Sequence, residues 1–232
     1  SRKPIPDAET VLPANLCRLI KSSFGYIKTD TCPFYALSQA IIGETTCDGK
    51  KKMFELISHI KPTHIMDLPH LADEPEALDA WTIMVHKLKG WLEKTFGTTI
   101  TDESIESEIV DMNEKKRLMN DFFKYIAHAP PLISWSELYD VFGVELVSNS
   151  DELRYVLDGI ATTLDERLQN GEFIGALDSP RVLVSGCPVG GDAAKVFGVI
   201  EEAGGVVVAM EACSGMKGYT IETEEDTGAP VA

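Results

Sequence analysis

The five cysteines are the residues of this chain whose type and placement could do chemistry. They are Cys17, Cys32, Cys47, Cys187 and Cys213. The first three are evenly spaced, fifteen residues apart. Thiolates are soft ligands that suit zinc or iron–sulfur clusters. The chain contains no Cys-x-x-Cys pair, which argues against a zinc ribbon or a ferredoxin-type run, so a metal site would have to be assembled from distant segments.

The competing interpretation is that these thiols pack in the core, because free cysteine is among the most buried residue types. It is strongest for Cys17, which lies in the apolar context Leu16-Cys17-Arg18-Leu19-Ile20. An odd number of cysteines, with no export signal at the start of the sequence, disfavours a disulfide framework. We therefore expect free thiols in a reducing, cytoplasmic compartment.

Charge and hydropathy exclude two classes of partner. The 232 residues carry a net charge of −16, which argues against a nucleic-acid surface. Residues 1–65 are the exception, with nine basic and six acidic side chains, so the segment around the first three cysteines suits an anionic cofactor or partner. No run approaches the roughly 20 apolar residues that a membrane-spanning helix needs.

The pattern of apolar residues predicts an α/β fold in three parts. Residues 1–74 are expected to form a partial N-terminal α/β domain, residues 75–175 a helical section, and residues 176–232 a second partial α/β domain. In the first part, Gly49–Ile60 reads as a helix that precedes a short parallel strand ending at Pro69. The apolar run at residues 37–42 is either a strand or a helix end.

Local signals mark the helices of the middle section. Apolar residues at three-to-four spacing predict an amphipathic helix of about 20 residues that begins near Ala77 and ends near Gly97. A second helix is expected from Ile105 to Ile126. Ser134 begins a capping-box sequence for a third, and Gly171 is placed to end a fourth.

Residues 181–186 are predicted to be a buried strand and residues 206–210 the next strand of a βαβ unit, so the two form a parallel pair. Cys187 and Cys213 then lie just beyond the carboxyl ends of these strands, where open parallel sheets bind ligands. A dinucleotide site with Glu211 as the ribose acid is a weak alternative. The motif G-x-G-x-x-G is absent, and Pro188 sits where the backbone would wrap a pyrophosphate.

Two stretches of the sequence, residues 12–56 and 181–215, contain segments that resemble a known family. The segments LPANLCRLIKSSFGY, TDTCPF and GETTCDGKKKMFEL, and later RVLVSGCPVGGDAAKVFGVIEEAGGVVVAMEACSG, are similar to the 2-hydroxyacyl-CoA dehydratase and benzoyl-CoA reductase superfamily. Within it they most resemble the double-cubane cluster proteins. The two stretches together span about 80 residues. GETTCDGKKKM is the specific signal, whereas a βαβ unit alone is not.

The resemblance implies two Rossmann-like parallel-sheet domains with an oxygen-sensitive iron–sulfur centre in the cleft between them. In the double-cubane subgroup, two 4Fe-4S cubanes share a bridging sulfide and six cysteines hold them. The segments that match the family's ligand motifs contain Cys17, Cys32, Cys47, Cys187 and Cys213. A sixth ligand would come from beyond Ala232, so we expect the chain to be shortened at its C-terminus, and also at its N-terminus.

The family's chemistry is reductive, which implies an enzyme of oxidoreductase or lyase type from anaerobic metabolism. An ATP-hydrolysing iron–sulfur activator supplies low-potential electrons, and a small, hard-to-reduce molecule receives them. The resemblance also implies a homodimer. It assigns no catalytic residue. Two alternatives stay open: a 2-hydroxyacyl-CoA dehydratase subunit with a single 4Fe-4S cluster, and a metal-free fragment without catalysis.

The basic run Lys50–Lys52 stands at a predicted helix start, where the helix dipole disfavours cations. It suggests a role in offsetting cluster charge or in docking the activator, with a solvated surface as the alternative. Glu44, beside Thr45 and Thr46, is a candidate for proton transfer or for capping the turn.

Overall fold

The computed structural model describes residues 4–189, 194–212 and 215–231. The chain divides into two compact units, one formed by residues 1–100 with 231–232 and the other by residues 101–230. The section predicted to be helical at residues 75–175 is therefore shared between them, and the three-part division drawn from the sequence stays a prediction.

The first unit contains a small βαβ arrangement preceded by helices. Its elements are α1 (Ile5–Ala8), α2 (Arg18–Lys28), α3 (Pro33–Leu37), β1 (Ile41–Glu44), α4 (Asp48–Ser58), β2 (Thr63–Met66) and α5 (Glu76–Phe96). Strands β1 and β2 are parallel, with Ile41 opposite Thr63 and Glu44 opposite Met66. The predicted parallel strand and the helix before it are confirmed. The ambiguous apolar run contains the end of α3 and the start of β1.

The core of the first unit lies where α1, α2 and α4 meet. Its buried members are Ala8, Leu12, Ile20, Phe24, Met53 and Ile57. Gly43 in β1 lies directly under the ring of Phe54, where an added Cβ would come within 2.7 Å of the ring. The strand can therefore approach α4 this closely because residue 43 has no side chain.

Helix α5 ends as its sequence predicts. Gly97 adopts a left-handed conformation (φ 62°, ψ 32°) and its N–H bonds to the carbonyl of Glu93. Such a C-cap favours glycine because a Cβ is disfavoured at positive φ. His64 of β2 packs against Trp91 of α5, with 5.3 Å between ring centroids.

The second unit combines a helical layer with another parallel pair. Its elements are α6 (Asp102–Phe122), α7 (Lys124–Ala127), α8 (Trp135–Glu145), α9 (Ser150–Asn170), β3 (Arg181–Ser185), α10 (Lys195–Glu202), β4 (Val206–Glu211) and a 3-10 helix (Met216–Tyr219). The second predicted helix is interrupted at Phe123 and becomes α6 and α7. The capping box at Ser134 is confirmed, and Asn149 forms another at the start of α9.

Strands β3 and β4 are parallel, as predicted, with Arg181 opposite Val206 and a register irregularity between Val182 and Leu183. The prediction that β3 is buried is wrong. Its residues alternate between exposed and half-buried, and Leu183 is 61% exposed, so one of its faces is covered and the other is open. β4 is better shielded, with Val206, Val207 and Met210 buried.

The core of the second unit is built mainly from α6 to α9 together with β4. Its largest fully buried side chains are Trp135, Phe197, Met119, Ile126, Leu132, Ile133, Leu138, Leu153, Leu164, Met210 and Val207. The α/β class is therefore confirmed. Each sheet of the described residues has two strands, so the two Rossmann-like domains implied by the resemblance stay a prediction. Within the described chain, none of the helices is both long and apolar enough to cross a membrane.

Candidate functional site

Cys47 lies just beyond β1, at the amino end of α4. Its backbone is extended (φ −150°, ψ 153°), and its Sγ accepts a hydrogen bond from the backbone N–H of Lys50 at 3.4 Å. A serine or asparagine oxygen takes the same position when it caps a helix. The residue is exposed, so the sulfur is accessible at the positive end of the helix dipole.

Cys32 occupies the same position before α3. Its Sγ accepts a hydrogen bond from the N–H of Tyr35 at 3.4 Å, and Pro33 follows as the first helical residue. Proline fits there because the first N–H of a helix has no intrahelical partner in any case. Cys32 is half-buried.

Cys17 is the N-cap residue of α2, and in the described structure its side chain makes no capping hydrogen bond. The interpretation that Cys17 packs in the core is wrong, because the residue is exposed. The apolar face of α2 begins after the cap, so Ile20 is buried at 7% exposure while Cys17 stays in solvent.

The three cysteines of the first unit therefore share one local geometry: each immediately precedes a helix. The first N–H groups of a helix lack intrahelical acceptors and carry a partial positive charge, so this position favours an anionic sulfur or an anionic group bound to it. Sequence reasoning missed the helices that follow Cys17 and Cys32. The Cys32-Pro33 pair was the signal that could have revealed the second of them.

Glu44 holds the turn between β1 and Cys47. One carboxylate oxygen pairs with Lys50 Nζ, and the other accepts the N–H of Thr46 at 2.6 Å. Burial raises the pKa of Glu44, but the hydrogen bonds from Lys50 and Thr46 outweigh it, so the pKa lies below its ordinary value. An ionised carboxylate held by these donors suits capping of the turn better than donation of a proton.

The loops after β1 and β2 are tied together beside Cys47. Thr45 Oγ1 donates to Asp67 Oδ1 at 2.8 Å and accepts the N–H of Leu68 at 3.0 Å. These loops border a cavity of about 480 Å³ that Cys47, Lys51 and His70 also line. The carboxyl ends of the parallel strands thus form a polar pocket with a thiol at its wall, as expected for this edge of a parallel sheet.

Each lysine of the basic run has an acidic neighbour within the same unit. Lys50 pairs with Glu44, the ammonium of Lys51 lies 4.0 Å from Asp48 Oδ1, and that of Lys52 lies 3.0 Å from Glu55 Oε1. Local carboxylates thus partly balance the run, and its roles toward a cluster or an activator stay predictions.

In the second unit, Cys187 follows β3 and is exposed. Gly186 before it has φ 129°, a conformation that favours glycine, and its N–H bonds to the carbonyl of Glu211. The hydroxyl of Tyr139 donates to the carbonyl of Val189 at 2.9 Å and anchors the loop beyond Cys187. Cys213, which follows β4, lies outside the described residues.

Glu211, the residue considered as a ribose acid, is engaged within its own unit. It accepts the hydroxyl of Ser185 at 2.8 Å and lies 3.1 Å from the ammonium of Lys217. The hydrogen bond from Ser185 and that from Lys217 hold its pKa below the ordinary value. The dinucleotide alternative gains no support from this carboxylate.

The donor types fit an iron–sulfur cluster, since four accessible or half-buried thiols are free of disulfides and three of them belong to N-cap residues of helices. The described arrangement does not close around a metal. Among residues 4–189, 194–212 and 215–231, no group of three or more His, Cys, Asp or Glu side chains is placed to hold a metal ion. The ligand set of five cysteines therefore stays a prediction.

The whole chain matches a family model. The model for the D-component of 2-hydroxyglutaryl-CoA dehydratase covers residues 1–232, and the chain belongs to this family. The superfamily identified from the cysteine motifs is thereby confirmed.

A curated relative agrees with this assignment. The chain is 37% identical over 218 residues to the Escherichia coli (strain K12) protein named "Putative dehydratase subunit YjiM". The alignment covers 94% of this chain and 56% of the relative. The chain therefore spans little more than half the length of the curated relative it matches.

Proposed function

We propose that this chain is part of an iron–sulfur reductase component of the double-cubane type. An ATP-hydrolysing iron–sulfur activator delivers low-potential electrons to it, and a small, hard-to-reduce molecule receives them. When bound, the cluster supplies one-electron chemistry at a potential set by burial, charge and hydrogen bonds to sulfur. The observation that carries the proposal is the shared geometry of Cys17, Cys32 and Cys47, each at the amino end of a helix.

The backbone around these thiols supports an anionic group in this position. The N–H groups of Tyr35 and Lys50 already point at the sulfurs of Cys32 and Cys47. Hydrogen bonds to ligand sulfur stabilise the reduced, more negative state of a cluster. The protein thus favours negative charge at the place where electrons would arrive.

A second candidate is a 2-hydroxyacyl-CoA dehydratase subunit with a single 4Fe-4S cluster and an open iron position for the thioester. The family, described as a dehydratase component, and the relative, named as a putative dehydratase subunit, favour it. The two candidates differ in iron content, because the first requires about twice as many iron atoms per chain as the second.

The test is anaerobic reconstitution of the chain with iron and sulfide, followed by measurement of both elements per chain. About eight iron atoms support the double-cubane assignment, and about four support the dehydratase candidate. A folded protein that takes up no iron contradicts both and leaves the metal-free fragment. Activity on a 2-hydroxyacyl-CoA, measured with the activator, distinguishes the first two further.

Substitution at Cys47 separates a metal ligand from a helix cap. Serine is a good N-cap residue, so Cys47→Ser keeps the capping hydrogen bond and removes the thiol, whereas Cys47→Ala removes both. A ligand role predicts loss of iron in both variants. The cap role predicts a decrease in the free energy of unfolding of the iron-free protein, by about 1 kcal/mol, in Cys47→Ala alone. If both variants keep the full iron content, Cys47 is only a cap.

A further inference from the structure

A groove runs between α8 and α9 in the second unit, and none of the four described cysteines lines it. Its volume is about 800 Å³, within the range of small-molecule sites. Ile133, Val141 and Leu164 contribute apolar wall, and all three are shielded from bulk water. The groove can therefore bury the apolar part of a ligand of moderate size.

The charge of the groove comes from three carboxylates and one guanidinium. Arg167 is already engaged, since Nη2 donates to Glu137 Oε1 at 2.8 Å and Nη1 donates to the carbonyl of Leu132 at 3.1 Å. The side chains of Asp140 and Asp158 line the same groove. In the described part of the chain, neither carboxylate has an ion-pair or hydrogen-bond partner. An anionic ligand would thus meet two unpaired carboxylates and a guanidinium that is already paired.

On α9, an exposed tyrosine and a glycine lie next to the carboxylate of Asp158. Tyr155, Asp158 and Gly159 are three and four residues apart, so they share one face of the helix. Tyr155 is 82% exposed. A Cβ built on Gly159 would meet no atom within 4 Å, so there is free space beside Asp158. An exposed phenol ring next to a carboxylate can bind an organic cation through its face.

We propose that this groove binds a small organic cation, an amine or quaternary ammonium group attached to an apolar body. The apolar body lies against Ile133, Val141 and Leu164. The cationic nitrogen lies at the rim, where Asp140 and Asp158 offer unpaired charge and Tyr155 offers a ring face. This assignment is independent of the iron–sulfur proposal, because it depends on none of the cysteines.

Three probes of similar shape test the assignment on the full chain by titration calorimetry at low ionic strength. They are 4-phenylbutylamine, 4-phenylbutan-1-ol and 4-phenylbutyrate. The amine is expected to bind at least about threefold more tightly than the alcohol, and the carboxylate is expected to bind most weakly. Equal binding of all three, or tighter binding of the carboxylate, overturns the proposal.

Variants locate the binding. Asp140→Asn and Asp158→Asn should each weaken the amine by about two- to fivefold and leave the alcohol unchanged. Gly159→Phe fills the open space and should weaken both the amine and the alcohol. Glu166→Gln removes the same charge from α9 outside the groove and should change neither. If Glu166→Gln weakens the amine as much as Asp158→Asn does, the effect is general electrostatics and the site is wrong.

Circular dichroism and thermal melting establish that each variant is folded. The aspartate variants change exposed side chains, so they carry the test if Gly159→Phe does not fold. A basic amphipathic peptide that binds the groove while the amine binds no better than the alcohol would also overturn the small-molecule assignment. In that case the groove is a surface for a protein helix.

Discussion

The ammonium group of Lys115 lies 3.1 Å from Glu145 Oε1, and the two side chains are 7% and 13% exposed. The hydroxyl of Tyr219 donates to the other oxygen of Glu145 at 2.9 Å. Burial, and after it the charge of Glu145, raises the pKa of Tyr219 well above its ordinary range. Three segments distant in sequence, α6, α8 and the 3-10 helix, thus meet at one shielded carboxylate.

Removal of one partner of this pair leaves the other charge buried and uncompensated. Lys115→Met is therefore expected to lower the free energy of unfolding by about 3 kcal/mol. The double variant with Glu145→Gln should recover part of this loss, because neither charge remains. Urea denaturation measures the free energy of unfolding of the two single variants and of the double variant, with Lys195→Met as an exposed control. If the double variant loses the sum of the two single losses, the pair is not coupled.

Alanine substitution should change the stability of the protein in opposite directions at Gly159, inside α9, and at Gly171, the C-cap of α9. Gly159 is in the helix interior with open space around its Cβ position, so Gly159→Ala should stabilise the protein by up to about 1 kcal/mol. Gly171 has φ 71° at the C-cap, so Gly171→Ala should destabilise it by about 1 kcal/mol. Thermal or urea unfolding measures both. A stabilising Gly171→Ala would contradict the left-handed cap.

Glu137 should make the second unit sensitive to acid. Burial raises its pKa, but hydrogen bonds from Arg167 and Ser134 outweigh it, so the folded-state pKa lies below the ordinary 4.5. Because its folded-state pKa is lowered, ionised Glu137 stabilises the folded protein above pH 4.5. This stabilisation is lost as the pH falls through the folded-state pKa. Glu137→Gln keeps the capping box.

The measurement is the unfolding free energy of wild type and Glu137→Gln from pH 7 to pH 3. The variant should be less stable at pH 7, and the difference should shrink below pH 4.5. Glu166→Gln, also on the surface of the second unit, serves as the control for removal of one exposed carboxylate. A Glu137→Gln difference that does not change with pH would show that the ion pair contributes no stability.

Tyr125 should make the free energy of unfolding decrease as the pH rises in the alkaline range. Burial, and after it the hydrogen bond to Asp165, raises the pKa of Tyr125 to about 12, and its hydroxyl lies 2.9 Å from Asp165 Oδ1. An unfolded tyrosine ionises near pH 10. The stabilisation is therefore complete below about pH 10 and is lost as the pH rises toward about 12.

Comparison of wild type with Tyr125→Phe in urea across this alkaline range tests the expectation. The variant should lose less stability than wild type between about pH 10 and pH 12. Tyr155→Phe is the matched control, because Tyr155 is 82% exposed and should behave as wild type does. Identical slopes for all three proteins would contradict the raised pKa.

Much of the secondary structure could be predicted from local patterns. The apolar spacing of α5 with Gly97 after it, the capping box at Ser134, and the position of Gly171 each depend on neighbours within a few residues. Such signals act through helix geometry and cap hydrogen bonds, which are local. The parallel pairing of β3 with β4 was also predicted correctly from the sequence. Parallel neighbours need a crossover connection, and the helix between the two strands provides it.

The cysteines themselves were identified from sequence, and their family motifs agree with the family model. The local geometry of most of them was not predicted from the sequence. An apolar neighbourhood suggested a packed Cys17, but the fold makes it an exposed N-cap. Whether a thiol caps a helix or packs in the core depends on where the helix begins and which face meets the next element. Those are properties of the packed chain.

The sequence by itself determined the family, the α/β class, and the positions of Cys187 beyond a strand and of Cys47 ahead of a helix. Tertiary structure alone decided which charges are paired. Lys115 meets Glu145 across thirty residues, while Asp140 and Asp158 line a groove without partners. A short-range pattern specifies hydrogen bonds inside one element. Side-chain pairs between elements depend on packing of the whole unit, which no local window of sequence contains.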